Sequence, residues 1–344
     1  MMVKVGIINV TGYIGMELAR ILHQHPQVDV HSITGRSTAG QKLGEVLPHL
    51  ADMNLTIEPE LGEVTLVFSA LPHKTSAEAV VAALERGIKV IDISADFRLR
   101  DAKDYDKWYG FTHPVPQLLG EAVYGLVEFH RNQIASSRLV ANPGCYPTCA
   151  ILALAPVVKE GLIDPDIIID AKSGVSGAGR TLSLRTHFAE VNENVSAYAI
   201  EGHRHLPEIT QELGRLNPTL ALSVTFIPHL IPMSRGMLST CYARIKAGQG
   251  GVDELKKSVM ELYRDFYRHE PFIRVVDTPP QTKQTLGTNL CLIHPTIDPR
   301  TERLIVISCI DNLIKGGAGQ AVQNMNLMLG LPEGMGVEGS AVYP

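Results

Sequence analysis

Cysteine is scarce in this sequence, with five residues in 344, an odd number. Apart from Cys145 and Cys149 the cysteines are widely spaced, so they form neither a disulfide framework nor a zinc-binding pattern. A reducing, cytoplasmic location is therefore expected. No apolar run is long enough for a transmembrane helix, and the apolar residues 1–10 lack the cleavage site of a signal peptide.

An excess of positive charge is also lacking. The net charge of -5 argues against a nucleic acid or an anionic membrane as partner. Apolar residues make up 45% and charged residues 19% of the chain, which is typical of a globular protein. A chain of 344 residues exceeds what one hydrophobic core usually supports, so two domains are predicted.

A dinucleotide-type loop opens the chain. An apolar strand at residues 3–8 precedes the sequence NVTGYIG at residues 9–15, and a helix over residues 16–25 follows and ends at Pro26. Small residues at positions 9, 12 and 15 let backbone N–H groups at the helix start reach a pyrophosphate. Asn9 stands where glycine is usual, and asparagine visits left-handed conformations better than most residues. The residues of this loop predicted to bind the cofactor are Asn9, Thr11, Gly12, Tyr13, Ile14 and Gly15.

The end of the second predicted strand, residues 28–34, indicates which cofactor is bound. Arg36 and Ser37 follow it in place of the acidic residue that binds the ribose hydroxyls of NAD. Arginine and a hydroxyl side chain can hold a 2′-phosphate, so NADP(H) is predicted. The alternative is that Arg36 is an ordinary solvated loop charge.

Strands and helices then alternate up to residue 142. Strands at 64–70 and 89–94 and a helix at 75–86 predict a doubly wound parallel sheet of Rossmann type, with its ligand outside the carboxyl ends of the strands. Pro72 and Arg98 follow two of these ends. Pro72 is predicted to contact the cofactor. Arg98 is predicted to bind a substrate phosphate, and the alternative is a salt bridge to Asp96 or Asp101.

The sequence NPGCYPT at residues 142–148 predicts a nucleophile. Pro147 suits a first helical position, which puts Cys145 just ahead of a helix start, where the helix dipole favours a thiolate. The alternative is a small buried thiol. Cys149 lies one turn into the apolar helix and is predicted to be structural.

Beyond that helix the pattern changes. Strands at residues 167–170, 222–230, 237–245, 289–294 and 303–310, with one clear helix among the last four, predict a second α+β domain with a mostly antiparallel sheet. Its exposed face could pair with a partner subunit. A glycine-rich loop lies at 172–180, and a helix from Lys315 to about Leu329 is expected to return to the cofactor domain.

Two imidazoles flank a guanidinium in the sequence GHRH at residues 202–205. His203 or His205 could pair with the thiolate and move a proton. A metal site is disfavoured because Arg204 opposes a cation and no third ligand with suitable spacing is evident. An ordinary surface loop is the remaining alternative.

A thiolate and a nicotinamide site in one chain point to acyl reduction. Cys145 would attack an activated acyl group, and the resulting thioester is reactive enough to accept hydride from NADPH and give an aldehyde.

Five motifs in order carry a resemblance over essentially the whole chain. They are SADFR (94–98), NPGCYPT (142–148), SGVSGAGR (173–180), GHRH (202–205) and GQAVQN (319–324). The chain resembles the N-acetyl-gamma-glutamyl-phosphate reductases of arginine biosynthesis, in the semialdehyde dehydrogenase superfamily.

The resemblance implies NADPH-dependent reduction of N-acetyl-glutamyl 5-phosphate to the 5-semialdehyde. It implies an NADP-binding Rossmann domain at residues 1–144, completed by a C-terminal helix within 313–344, and a catalytic and oligomerisation domain at 145–312. Cys145 would be acylated and His203 or His205 would be the acid–base. Gly174 and Asn312 would contact the cofactor, and Arg98, Asn142, Ser173 and Arg204 the substrate. A homo-oligomer, dimer or tetramer, is expected.

Other activities stay open at this point. Related enzymes act on aspartyl phosphate or on the one-carbon-longer aminoadipyl phosphate, and one methylene changes binding by only about 1–3 kcal/mol. A cofactor-independent thiol hydrolase or acyltransferase and a dinucleotide-sensing binding protein are alternatives from other classes.

Overall fold

A computed structural model describes residues 2–246 and 251–343; Met1, residues 247–250 and Pro344 lie outside the described residues. The chain divides into two compact units. The first unit comprises Met1–Gly144 and Gly317–Gly339, and the second comprises Cys145–Gly316 and Ser340–Pro344.

A parallel sheet with helical crossovers forms the first unit. Its strands are β1 (Val3–Ile8), β2 (Val28–Thr34), β3 (Ile57–Glu58), β4 (Leu66–Ser69), β5 (Lys89–Asp92), β6 (Val123–Tyr124) and β7 (Leu139–Ala141). Its first helices are α1 (Tyr13–His23), α2 (Leu43–Val46), α3 (Ser76–Glu85), α4 (Ala102–Tyr109) and α5 (Val127–Ser136). The strand order is β3-β2-β1-β4-β5-β7-β6, with parallel neighbours throughout the described pairings. This confirms the predicted doubly wound sheet.

The order of the strands reverses at β1. The chain first builds outward from β1 to β2 and β3, and then returns to add β4 on the other side. Ligands of doubly wound sheets bind at such a switch point, outside the carboxyl ends of the strands. The nucleotide loop directly follows β1 and therefore begins at this position.

The second unit contains a mixed sheet with helices. Its helices are α6 (Cys145–Lys159), α7 (Phe188–Val191), α8 (Leu206–Leu216) and α9 (Val252–Phe266). Its strands are β8 (Ile163–Ser173), β9 (Ser196–Ala197), β10 (Ser223–Leu230), β11 (Met237–Ile245), β12 (Ile273–Val275), β13 (Cys291–Asp298) and β14 (Arg303–Ile310). The order is β12-β13-β14-β11-β8-β10-β9. In the described pairings, β8–β10 and β12–β13 are parallel and the other four are antiparallel, so the predicted mostly antiparallel sheet is confirmed.

Helix α6 is the buried centre of the second unit. Its residues from Tyr146 to Val158 are buried, although Pro156 lies inside the helix. Proline cannot donate to the carbonyl four residues earlier, which is that of Leu152. The hydroxyl of Tyr267 donates to that carbonyl at 2.6 Å, and Tyr263 donates to the next one, Ala153, also at 2.6 Å. The helix therefore tolerates its proline because Tyr267 satisfies the buried carbonyl group that Pro156 leaves without an N–H donor.

The last helix belongs to the first unit. Helix α10 (Gly319–Met328) is nearly all buried, and the side chain of Asn324 donates to the carbonyl of Gly125 at 3.0 Å. Lys89 on β5 donates to the carbonyl of Met328 at 2.6 Å. The predicted helix began at Lys315, whereas Ile314–Ala318 forms a π-helical turn before α10.

Several predicted boundaries were wrong by a few residues. Helix α6 begins at Cys145, not after it; Pro147 fits because the first N–H groups of a helix have no intrahelical acceptor. Helix α1 begins at Tyr13, three residues earlier than expected. Strand β8 extends beyond residues 167–170 in both directions. Among the described residues, no helix combines the length and apolarity needed to cross a bilayer.

Candidate active site

Asn9 shapes the nucleotide loop of the first unit. Its φ of 67° lies in the left-handed region, as the sequence suggested. Its Nδ2 donates to the carbonyl of Ala70 at 2.9 Å, which joins the residues that follow β1 and β4 at the switch point. Asparagine therefore provides both the turn conformation of glycine and a hydrogen bond that glycine lacks.

The two glycines of the loop have different surroundings. A Cβ on Gly15 would collide with the carbonyl oxygen of Asn9 and lie 2.8 Å from the Cα of Val10. A Cβ on Gly12 would meet nothing closer than 3.4 Å, the Nδ2 of Asn9. Packing within the chain therefore requires glycine at 15 but not at 12. The open space beside Gly12, at the start of α1, would be filled by a methyl group and fits a pyrophosphate. The first turn of α1 has no acidic residue that would repel such an anion.

Arg36 and Ser37 lie in the turn after β2, and both are exposed. Thr11 is close to this turn, because a Cβ on Gly35 would lie 3.9 Å from the Cγ2 of Thr11. The turn is thus next to the pyrophosphate loop, where the 2′-phosphate of NADP is expected. Both predicted roles of Arg36, phosphate ligand and solvated charge, are compatible with its exposure.

Pro72 is exposed in the loop that follows β4. Its carbonyl oxygen accepts a hydrogen bond from the Oγ1 of Thr75 at 2.9 Å. The buried carboxylate of Asp96 holds the end of the loop, because it accepts the backbone N–H groups of Lys74 at 2.9 Å and Ala77 at 3.0 Å. The loop predicted to contact the cofactor is therefore anchored to the loop after β5.

Arg98 and Asn142 bond mainly to the chain around them. Arg98 is buried, with Nε donating to the carbonyl of Asn142 at 2.8 Å and Nη2 to that of Ile93 at 2.8 Å. The Nδ2 of Asn142 donates to the carbonyl of Gly317 at 3.2 Å, and its Oδ1 accepts from Asn324 at 3.0 Å. These contacts support a structural role, fixing the segment just before Cys145. Substrate binding by either residue stays a prediction.

Cys145 is the first residue of α6 and is partly exposed. Cys149 is fully buried, and burial raises the pKa of its thiol, as expected for the structural cysteine of the pair. All five cysteines are thiols, and all five lie in the described residues.

His203 lies in an aromatic cluster. Its ring centroid is 5.7 Å from that of Tyr146, 5.5 Å from that of Tyr198 and 4.8 Å from that of His205. Burial, followed by the positive charge of Arg204, lowers the pKa of His203 to about 4. His205 is half-buried and directly precedes α8. The two imidazoles predicted from the GHRH sequence are therefore adjacent but differ in environment.

Two tyrosines connect this cluster to Cys145, and of the two Tyr198 carried no signal in the sequence. Tyr198 donates from its hydroxyl to that of Tyr146 at 3.2 Å, and Tyr146 donates to the carbonyl of His229 at 3.3 Å. Burial raises the pKa of Tyr198 to about 12, the Cys145 thiolate adds to this shift, and Arg204 and Arg185 oppose it. The sulfur of Cys145 thus lies within electrostatic reach of both hydroxyls.

Arg204 and Arg185 contribute positive charge to the same cluster. Arg204 is exposed, and the guanidinium of Arg185 lies 5.3 Å from the centroid of the Tyr198 ring. Arg204 was predicted as a substrate residue. Arg185 was missed, because an arginine in a polar loop carries no distinctive sequence signal.

Ser173, Gly174 and Asn312 define the glycine-rich loop. Ser173 is buried and donates to the carbonyl of Gly174 at 3.0 Å. A Cβ on Gly174 would lie 2.8 Å from the backbone oxygen of Ser234. Asn312 accepts from the N–H of Gly236 at 2.8 Å and donates to the Oγ of Ser176 at 2.9 Å. Packing thus explains both Gly174 and Asn312, and their contacts with the cofactor stay predictions.

Within residues 2–246 and 251–343, no group of three or more histidine, cysteine or carboxylate side chains could hold a metal ion. The second unit brings together a thiol, two imidazoles, two tyrosine hydroxyls and two guanidinium groups, and the first unit carries the nucleotide loop.

Two family models cover most of the chain. Residues 4–137 match the NAD binding domain of semialdehyde dehydrogenase, and residues 145–312 match its dimerisation domain. Solved structures share the fold. Aspartate semialdehyde dehydrogenase II from Vibrio cholerae matches with a TM-score of 0.69 at 17% identity, over 96% of this chain and 99% of that one. The aspartate semialdehyde dehydrogenase with NADP from Candida albicans gives 0.67 at 16% identity, over 96% and 99%.

Curated relatives are much closer in sequence. An N-acetyl-gamma-glutamyl-phosphate reductase from Dehalococcoides mccartyi is 59% identical over 342 residues, which is 99% of each chain. One from Pelotomaculum thermopropionicum is 53% identical over 353 residues, covering 100% of each chain. The chain therefore belongs to the N-acetyl-gamma-glutamyl-phosphate reductase family of the semialdehyde dehydrogenases.

Proposed function

We propose that this protein reduces N-acetyl-L-glutamyl 5-phosphate to N-acetyl-L-glutamate 5-semialdehyde with NADPH, through a thioester on Cys145. One observation carries the proposal: a partly exposed cysteine begins a buried helix, and the next residue, Tyr146, packs against His203 and His205, in a chain 59% identical to enzymes of that name. The reaction is one step of arginine biosynthesis.

Cys145 acts first. Its sulfur attacks the acyl carbon, the bond to the phosphate oxygen breaks, and phosphate leaves. When bound, NADPH supplies the hydride that reduces the thioester. The bond from carbon to the Cys145 sulfur then breaks, which releases the aldehyde and restores the thiol. The positive end of the α6 dipole favours the thiolate at the start of the cycle and at its end.

We assign the proton transfers to His205. It takes the proton of the Cys145 thiol during the attack and returns a proton to the departing sulfur. His203 is less suited to this role, because it is buried and its pKa is lowered to about 4. An acid–base group works best with a pKa near the operating pH. His203 is thus assigned a positioning role, in which its ring orients His205.

Arg204 and Arg185 are the proposed anion ligands of the second unit. Both oppose the rise in the pKa of Tyr198 that Cys145 promotes, so both lie within electrostatic reach of that hydroxyl. A dianionic acyl phosphate requires such positive charge, and guanidinium groups bind it with two hydrogen bonds. Ser173 and Tyr146 complete the proposed surroundings of the acyl group.

NADP(H) is the cofactor, held by the loop at residues 9–15 with Arg36 and Ser37 on the 2′-phosphate. Arg36→Ala should raise the KM for NADPH about tenfold or more, since a charge-assisted pair is lost, and should leave the KM for NADH unchanged. Arg215→Ala, which removes another exposed arginine from α8, is the control. Equal effects of the substitution at position 36 on both cofactors would reject this assignment.

A homo-oligomer is part of the proposal. One face of the second sheet carries Ile168, Tyr242 and Ile305 side by side on three neighbouring strands, all partly exposed, whereas Ile169, Cys241 and Val306 of the other face are buried. In the segment that follows β8, the side chains of Leu182, Leu184 and Phe188 are 97%, 75% and 78% exposed. These apolar side chains, in a region that matches a dimerisation domain, support pairing with a second copy.

Sedimentation analysis tests this interface. Ile168→Glu should shift the wild-type assembly to a smaller species, whereas Val342→Glu, at an exposed apolar residue outside the strands of that sheet, should not. An unchanged mass for Ile168→Glu would contradict the assignment of the face.

A cytoplasmic location also belongs to the proposal and is supported by the five thiols.

The direct test of the activity is reduction of NADP by the semialdehyde. Turnover should require inorganic phosphate and should disappear in Cys145→Ser. Undiminished turnover in that variant would exclude a thioester on Cys145. A faster reaction with the aminoadipyl or aspartyl semialdehyde would reassign the substrate while leaving the chemistry intact.

A further inference from the structure

The backbone of Gly316 lies directly against the side chain of Cys145. A Cβ on Gly316 would be 2.8 Å from the Cβ of Cys145 and 3.2 Å from its Cα. Real Cβ atoms essentially never make a contact under 3.0 Å. Gly316 is not among the described glycines with a positive φ, so its backbone conformation does not itself demand glycine. The glycine is required by the approach to Cys145.

The turn that contains Gly316 is held firmly in place. It is the π-helical turn Ile314–Ala318, a geometry rare in proteins and frequent at functional sites. The buried carboxylate of Asp311 accepts the N–H groups of Leu313 at 2.8 Å and Ile314 at 3.3 Å, and the carbonyl of Asp311 accepts the N–H of Gly316 at 3.0 Å.

Asp311 is in turn fixed from outside the turn. Its Oδ2 accepts the N–H of Gly287 at 2.8 Å and lies 3.2 Å from Nη2 of Arg235. A carboxylate with this many donors is expected to hold the turn in one position. The atoms behind Cys145 therefore form a rigid support.

We propose that Gly316 is a positioning residue that, held by Asp311, fixes the Cys145 side chain in the orientation needed for attack on the acyl group. The proposal rests on the proposed function and deepens it. Cys145 begins α6, where one side of its side chain faces the reacting group; a close backbone contact on the other side limits how far the Cβ can move. Such limits matter, because a misplacement of about 1 Å can cost on the order of 100-fold in rate.

Gly316→Ala provides the test. To restore an ordinary contact of 3.4 Å or more from 2.8 Å, Cys145 or the turn must shift by several tenths of an ångström. We expect kcat to fall between about 10-fold and 100-fold, with the KM for NADP unchanged, because the nucleotide loop is not touched. Iodoacetamide alkylation of Cys145, followed by mass spectrometry without substrate or cofactor, should slow as well.

Gly44→Ala is the matched control. A Cβ there would lie 2.8 Å from the Cα of Ala51, an equally short distance, but in helix α2 of the first unit. Both variants should lower the Tm, and only Gly316→Ala should change kcat and the alkylation rate. Wild-type kcat and alkylation rate in folded Gly316→Ala would overturn the proposal, and so would equal losses of kcat in both variants.

A second variant covers the case in which Gly316→Ala does not fold. Asp311→Asn keeps the size of the side chain but removes the charge that pairs with Arg235, so the turn is held less firmly. It should reduce kcat and Cys145 alkylation by a smaller factor, again with the KM for NADP unchanged, and wild-type values would overturn the proposal. The alkylation measurement needs no substrate, so it distinguishes a failure of this inference from a failure of the proposed reaction.

Discussion

The Nδ1 atom of His203 accepts a hydrogen bond from the backbone N–H of His205, at 3.1 Å. A backbone N–H can only donate, so the neutral His203 ring must carry its proton on Nε2. Because the pKa of His203 is lowered to about 4, this neutral form persists at pH 7. The contact fixes the His203 ring against the backbone of His205.

Substitution of the two histidines should therefore have unequal effects. His205→Asn should lower kcat by about 100-fold to 10,000-fold, which is the usual contribution of a general acid–base. His203→Asn should lower kcat less, because its ring only orients His205. Steady-state rates for both variants over pH 5 to 9 measure the difference. A larger loss for His203→Asn would reverse the assignment.

The stability of the protein should depend on pH through His203. In the unfolded chain this residue binds a proton near the ordinary histidine pKa of 6.5, whereas the folded protein resists protonation until about pH 4. Stability from this residue is therefore complete above pH 6.5 and is lost as the pH falls towards 4, by on the order of 3 kcal/mol in total. His203→Phe should remove this contribution. Urea unfolding of both proteins at pH 4.5 and 7 measures it, and an identical pH dependence would mean that burial of His203 is not its source.

Much of the candidate site was predictable from local sequence. The run of residues that flank Cys145 located the helix start to within two residues, because proline and glycine restrict the backbone locally. Tyr198 and Gly316 could not be predicted, since their relation to Cys145 arises from packing between segments far apart in the chain. The same is true of Asn142 and Asn312, whose amides look available in sequence but bond to the backbone or to other side chains in the fold.

Gly12 and Gly15 should respond differently to alanine. Gly12→Ala should keep the Tm within a few degrees, because its Cβ would meet only ordinary contacts of 3.4 Å and 3.8 Å with Asn9. It should weaken NADPH binding about tenfold or more, since the methyl group fills the space predicted for the pyrophosphate. Gly15→Ala should instead destabilise the fold by about 1–3 kcal/mol through overpacking. Fluorescence titration and thermal unfolding of both variants distinguish the two effects; tight NADPH binding by Gly12→Ala would place the pyrophosphate elsewhere.

Asn9 should tolerate glycine better than alanine. Asn9→Ala loses the hydrogen bond to the carbonyl of Ala70 and places alanine, which disfavours the left-handed region, at a φ of 67°. We therefore expect the free energy of unfolding to fall by about 1–3 kcal/mol. Asn9→Gly loses the same bond but adopts this φ without strain, and its change should stay within about 1 kcal/mol. Chemical denaturation of the two variants is the measurement. Equal losses would mean that the hydrogen bond, and not the backbone conformation, decides the residue at position 9.

The fold was predictable where the sequence pattern was local and uninterrupted. Strands β2, β11 and β14 have the predicted residues, because each is bounded by clear turn residues. Strand β8 was predicted too short, since Pro165 between two aspartates looks like a turn. In the fold, the pairing of β8 with β10 begins only at Asp166, after this proline. On the other side of β8, the pairing with β11 shifts register next to the proline. Pro165, which has no N–H, therefore costs the sheet no hydrogen bond. Tertiary pairing, which a single sequence does not reveal, decided the strand length there.

Formation of an acyl group on Cys145 is the step on which the proposed reaction depends most. Incubation of the enzyme with the semialdehyde and NADP in the absence of phosphate should trap the thioester, because the acceptor of the acyl group is missing. Mass spectrometry of the digested protein should then find N-acetylglutamyl on the peptide that contains Cys145, and its release on addition of phosphate. Full phosphate-dependent turnover without any adduct on that peptide would contradict a covalent mechanism at Cys145.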